Sequence, residues 1–139
     1  MARTSIQQYR QGTVSSLTDA DPHTQVSAIM AHILGNVAAA RGAIERKDHE
    51  AKGLKIGKAI ELISVLQASL DMEVGGEISR NLYDLYDFCI FKLGQASVNG
   101  ELEAMDAVTG VMRNIKEGWD GIPQDVRDDL AKKKAAESE

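Results

Sequence analysis

The sequence of 139 residues is short of several things at once, and each shortage removes a class of protein. It holds a single cysteine, Cys89, so no internal disulfide can form, which fits a reducing, cytoplasmic setting. Its 16 lysines and arginines are outnumbered by 21 aspartates and glutamates, leaving a net charge of −5 and no basic footprint for nucleic acid. No apolar run approaches the ~20 residues that cross a bilayer, so membrane insertion is not expected. The opening residues, Met1 to Gln8, contain no apolar segment of the secretory-signal kind. Alternating runs of β-branched residues are missing too, and with them any strand candidate. What remains, 43% apolar and 27% charged, is ordinary for one globular domain, which at this length buries roughly 65–70% of its unfolded surface.

The apolar residues that are present recur at three- and four-residue steps. Asp21-Pro22 opens the first helix: the carboxylate caps free amides, and proline fits a first turn whose N–H has no partner anyway. Val26, Ile29, Met30, Ile33, Val37, Ala40 and Ile44 carry it to about Lys47, and Asp48-His49 breaks it. A second helix is expected from about Glu50 to Met72, closed by Gly75-Gly76. Glu77 opens a third, to about Val98, which Asn99-Gly100 ends. Glu101 to Trp119 forms the fourth, with Leu102, Met105, Val108, Met112, Ile115 and Trp119 on one side. Short turns between long helices require antiparallel neighbours. The expected fold is therefore all-α, an antiparallel up-down four-helix bundle over residues 22–122. A polar, mobile N-terminal arm (1–21) precedes it, and a charged tail (123–139), frayed or briefly helical, follows. Glycines 35, 42, 53, 57, 94 and 110 fall inside these helices at up to ~1 kcal/mol each, which is read as a sign of close helix packing.

The second and third helices carry more apolar surface than one buried stripe requires. At 100° per residue, Ile56, Ala59, Ile60, Ile63, Leu66 and Leu70 fall within about 120° of one another, and Leu54, Leu62, Val65 and Ala68 lie opposite. In the third helix Ile78, Leu82, Leu85, Tyr86, Cys89, Leu93 and Ala96 form the core stripe. Phe88 and Phe91 project to one flank, Tyr83 and Ile90 to the other. Such a surplus either meets the remaining helices or a second subunit, or it forms a groove for an apolar helical peptide. Ile29, Ile56, Ile63, Leu66, Leu82 and Tyr86 are the expected floor of that groove.

Chemistry-bearing patterns are thin. None of His23, His32 or His49 follows a glutamate by three residues, so the di-iron pattern of four-helix bundles is missing. There is no zinc pattern and no phosphate-cradling glycine loop, and Cys89 falls on the core stripe as a packing residue. No cofactor, no metal and no catalytic residue is expected, and the chain is read as a binding module rather than an enzyme.

Several segments, in order and spacing, resemble the FliS family of flagellin-specific export chaperones. They are Pro22-His23, Ala39-Ala40-Arg41-Gly42-Ala43-Ile44-Glu45-Arg46, Lys52-Gly53, Lys58-Ala59-Ile60-Glu61-Leu62-Ile63 and Ser69-Leu70-Asp71 through Gly75-Gly76-Glu77. Asn81-Leu82-Tyr83-Asp84-Leu85-Tyr86-Asp87 and Val111-Met112 through Glu117-Gly118-Trp119 complete the match over residues 9–122. The resemblance implies a cytoplasmic chaperone. Such a protein binds the disordered C-terminal segment of flagellin, prevents its premature polymerisation and aids its delivery to a component of the flagellar type III export gate. By matching position it also implies that Ile6 and Tyr9 form a lid over the empty groove. Gln25 stands where the family usually carries leucine, and Ala31-His32 where it carries an acidic-glycine pair. The alternative is another helical interaction protein: a self-assembling bundle such as a homodimer, or a regulator that binds a flagellar transcription inhibitor.

Overall fold

Four long helices make up the computed structural model, which describes residues 21–126 and 128. They are α1 (Pro22–Glu45), α2 (His49–Ala68), α3 (Met72–Asn99) and α4 (Leu102–Asp120), and no strand occurs among the described residues. Each packs against two others, α1 on α2 and α4, and α3 on α2 and α4, so the helices close a ring around one core. This is the expected four-helix bundle.

The ends of the elements follow from local capping chemistry. The Asp21 carboxylate accepts from the Thr24 amide at 2.8 Å, with Pro22 in the first turn. Asp48 does the same for Ala51 at 3.1 Å, after a turn in which Lys47 takes a positive φ of 59°. Gly100, at φ 68° and ψ 26°, ends α3 in the left-handed conformation that costs a glycine nothing.

The α2–α3 turn differs from the sequence expectation. The second helix stops at Ala68 instead of about Met72, because Asp71 starts the next one by accepting from the amides of Glu73 and Val74. A single helical turn follows, and Gly76 then breaks the regular path at φ 51° and ψ −124°. A side-chain carbon on Gly75 would stand 1.7 Å from Ser79 Oγ, which itself donates to the Asp71 carbonyl. The glycine pair is thus a kink inside α3, and the regular helix resumes at Glu77.

The core is built from all four helices. Ile33 and Val37 of α1, Ile56 and Ile63 of α2, Cys89 and Leu93 of α3, and Met105 and Met112 of α4 are sealed from solvent. Burying each large apolar side chain stabilises the fold by roughly 1.5–3 kcal/mol. Burial also pushes the Cys89 thiol up to about 11, and burial together with the neighbouring Cys89 pushes the Tyr86 phenol up to about 12. Both groups stay neutral at ordinary pH and serve as packing.

Glycine has a different meaning from the one its sequence positions suggested. Nothing lies within 4 Å of a side-chain carbon built on Gly35, Gly53, Gly57, Gly94 or Gly110, and at Gly42 the nearest atom is Arg46 Nη1 at 3.0 Å. Close packing between the helices of the bundle therefore does not account for them. They face open space.

Candidate binding face

The surplus apolar surface is concentrated on α3. Val74, Ile78, Tyr83, Leu85, Phe88, Phe91 and Val98 are all exposed, and α2 adds Leu54 and Val65. By contrast, the apolar residues of α4 fall on one side, and Met105, Val108 and Met112 are buried there. A charged or polar outer face is the rule for a surface helix. On α3 that rule is broken along its whole length.

Two of the exposed residues belonged to the expected core stripe. Ile78 and Leu85 stand in solvent because the packed neighbours of α3 cover only a narrow arc around Tyr86, Cys89, Leu93 and Ala96. In addition, Ile78 lies directly after the Gly76 kink. Leu62, expected on the outer side of α2, is half-buried against the core.

The expected groove floor lies mostly inside the bundle. Ile56, Ile63, Leu66 and Tyr86 are 0–3% exposed, covered by the other helices of the same chain, while Ile29 and Leu82 are half-buried at the margin of the core. In the closed bundle the four buried residues are out of reach of a ligand. Helical angles group residues on a stripe but do not name the stripe that neighbouring helices cover, and here they cover this one. Ile6 and Tyr9, the expected lid, lie outside the described residues.

The open surface centres on the C-terminal half of α3. A shallow depression of about 450 Å³ is lined by Phe91, Gly94, Gln95, Val98 and Asn99, with Phe91 62% and Val98 87% exposed. Phe91 was legible as a flank residue. Val98 was not, although it stands seven residues further on, two turns along the same face. Lys92 Nζ sits 5.7 Å from the Phe88 ring centroid, a cation over an aromatic face at the edge of this surface.

A polar bond fixes how α2 and α3 are aligned beside it. Gln67 Nε2 donates to the Tyr83 carbonyl at 3.1 Å and to Asp87 Oδ1 at 2.7 Å. Counting back along α2 and forward along antiparallel α3 at 1.5 Å per residue sets Gly57 level with Gly94 and Gln95, and Leu54 level with Val98. Leu54 is 68% exposed, so it extends the apolar surface across the seam between the helices.

Nothing at this face is arranged for bond-making chemistry. Among the described residues there is no group of three or more His, Cys, Asp or Glu side chains placed to share a metal ion, and no helix is long and apolar enough to cross a membrane.

Comparison with known proteins bears on this face. The family described as "Flagellar protein FliS" matches residues 5–126. The flagellar secretion chaperone FliSB of Pseudomonas aeruginosa is 38% identical over 122 residues, covering 87% of this chain and 97% of the relative. The flagellar secretion chaperone FliS of Vibrio cholerae is 36% identical over 122 residues, 87% of this chain and 90% of its own. That of Salmonella typhimurium is 38% identical over 119 residues, 84% and 88% of the two chains.

Proposed function

The chain belongs to the FliS family of flagellar secretion chaperones, and from that premise we propose that its exposed α3 face, with Leu54 and Val65 of α2, holds the disordered C-terminal segment of flagellin. The observation that carries this reading is the row of large apolar side chains left in solvent along α3. A monomer gains nothing by exposing them, whereas an unfolded export client gains a surface on which its own apolar face is covered. Ordering the client costs entropy, so a long, shallow face with several contacts suits it better than one deep pocket. Held in this way, the segment cannot polymerise, and the loaded chaperone passes it to the flagellar export gate in the cytoplasm. The role is binding, not catalysis.

The residues first expected to form the groove act on this reading from below. Ile56, Ile63, Leu66 and Tyr86 hold the helices at their spacing, and Ile29 and Leu82 close the margin. Contact with the client falls to the exposed residues above them. Ile6 and Tyr9 cover the α3 face when no client is bound.

Calorimetric titration with a C-terminal flagellin peptide tests the proposal. Phe91→Asp with Val98→Asp should keep the helical circular dichroism and weaken binding by about tenfold or more, since each side chain represents roughly 1.5–3 kcal/mol of apolar contact. Undiminished affinity in that folded variant would move the client elsewhere. Deleting residues 1–17 should tighten binding if the arm competes for the face, and unchanged affinity would remove the lid.

A further inference from the structure

We infer that the seam between α2 and α3 is a notch for one helical turn of the client, and that it selects a turn carrying an apolar side chain with a lysine or arginine beside it. The inference rests on the proposed function and names the chemistry of the segment that fits.

Three features meet at this place. Gly94 lies two turns from Asp87, and Gly53 lies close to four turns from Gln67, on the side of each helix that the Gln67–Asp87 bond marks. Gly57, level with Gly94, lies on the same lip, turned further outward. None of the three has an atom within 4 Å of where a side chain would begin. Each weakens its helix, since glycine is the poorest helix former after proline. No contact inside the bundle offsets that cost, but close approach of another backbone would.

Apolar residues form the second feature. Phe91, Val98 and Leu54 rise around the glycines as exposed walls. A bare floor between apolar walls takes the ridge of a docking helix, with one large side chain seated in the depression beside Gly94.

Charge supplies the third feature and identifies the occupant. On the outward sides of the two helices, Glu50, Glu61, Asp84 and Asp87 outnumber Lys58 and Arg80. Lys58 is already paired with Glu61 at 3.7 Å, while Glu50 and Asp84 have no such partner among the described residues. A segment with cations flanking its apolar anchor satisfies this rim, and an acidic one is repelled.

The test fills the notch without disturbing the fold. Gly57→Leu and Gly94→Leu enter open space and improve helix propensity, so the thermal midpoint should hold or rise. Affinity for the C-terminal flagellin peptide should nevertheless fall by about tenfold. Gly110→Leu, on the solvent face of α4 with equally free surroundings, is the control that should leave binding unchanged. Glu50→Lys with Glu61→Lys should weaken binding at low salt, and the difference from the unaltered protein should shrink as salt screens it. If the unaltered protein binds the peptide and the leucine variants bind it equally well, the notch is wrong and the proposed function stands. Unaltered affinity in the charge-reversed variant removes the basic flank. A peptide that the unaltered protein does not bind overturns the function and the notch together.

Discussion

His23 and Trp119 hold each other twice. The indole Nε1–H donates to the His23 carbonyl at 2.9 Å, His23 Nε2 donates to the Trp119 carbonyl at 2.7 Å, and the two rings stack at 5.0 Å with 9° between their planes. Because a carbonyl only accepts, the proton of this imidazole sits on Nε2. Ser27 adds a bond to Asp120 beside the pair, and Lys116 forms an ion pair with the same carboxylate. The start of α1 is thereby fastened to the end of α4. Trp119→Phe keeps most of the ring and removes the donor, which should cost about 1 kcal/mol and somewhat more for lost stacking. A double-mutant cycle with His23→Ala, read by urea unfolding, should give a coupling of about 0.5–3 kcal/mol. Simple additivity would show that the clasp is only two neighbouring contacts.

The buried and exposed apolar residues should separate cleanly in mutagenesis. Ile63→Ala leaves a cavity in the sealed core and should cost about 2–5 kcal/mol. Phe91→Ser, on the open surface, should stay within about 0.5 kcal/mol of the unaltered protein. Chemical denaturation measures both. A large loss of stability at Phe91 would mean that the residue is packed in solution.

Raised pKa values in the interior predict weakening in alkali. The Cys89 thiol, at about 11 when folded against an ordinary 9.0, keeps its proton in the native chain over a range where the unfolded chain has lost it. The unfolded state then binds fewer protons, so stability falls as pH rises from about 9 to about 11, at up to roughly 1.4 kcal/mol per pH unit. Tyr86 extends the decline to about 12. Cys89→Ala should flatten the first part of the curve measured by thermal melts, and an unchanged slope would assign the decline to other groups.

Carboxylates work in the opposite direction. Hydrogen bonding to Arg41 holds Asp106 below the usual range, and bonds from Lys116 and then Ser27 do the same for Asp120. Folded values below unfolded ones contribute stability that is present at neutral pH and lost as pH falls through the folded values. Asp120→Asn should therefore make acid unfolding below about pH 4 less steep. An identical acid limb would argue that the pair with Lys116 is not kept in solution.

Two kinds of glycine should respond with opposite signs. Gly76→Ala forces a side chain into a φ of 51° and ψ of −124° and should destabilise by at least about 1 kcal/mol. Gly35→Ala, in free space within α1, should stabilise by about 0.5–1 kcal/mol. Thermal midpoints decide both.

These contrasts mark how far the sequence alone could be read. Asp21-Pro22, Asp48 and Gly100 gave correct helix ends because capping is settled within a few residues of chain. The α2–α3 turn was misread where two local signals compete, since Asp71 captures the amides of Glu73 and Val74 before the glycine pair can end α2. The single stripe of α4, with Met105, Val108 and Met112, admitted one orientation and was legible. On α2 and α3 apolar residues occur on more than one side, so periodicity could not distinguish Ile63 in the core from Leu54 in solvent. That choice is made by neighbouring helices distant in the chain.

The clasp at His23 and Trp119 also sets where the first and last helices come to rest. Pro22 and Asp120 share one pole of the barrel, so anything joined ahead of α1 or behind α4 departs from the same place. A donor dye at position 21 and an acceptor at 121 would consequently sit nearly side by side, and their energy transfer would report directly on whether the bundle opens when cargo is loaded.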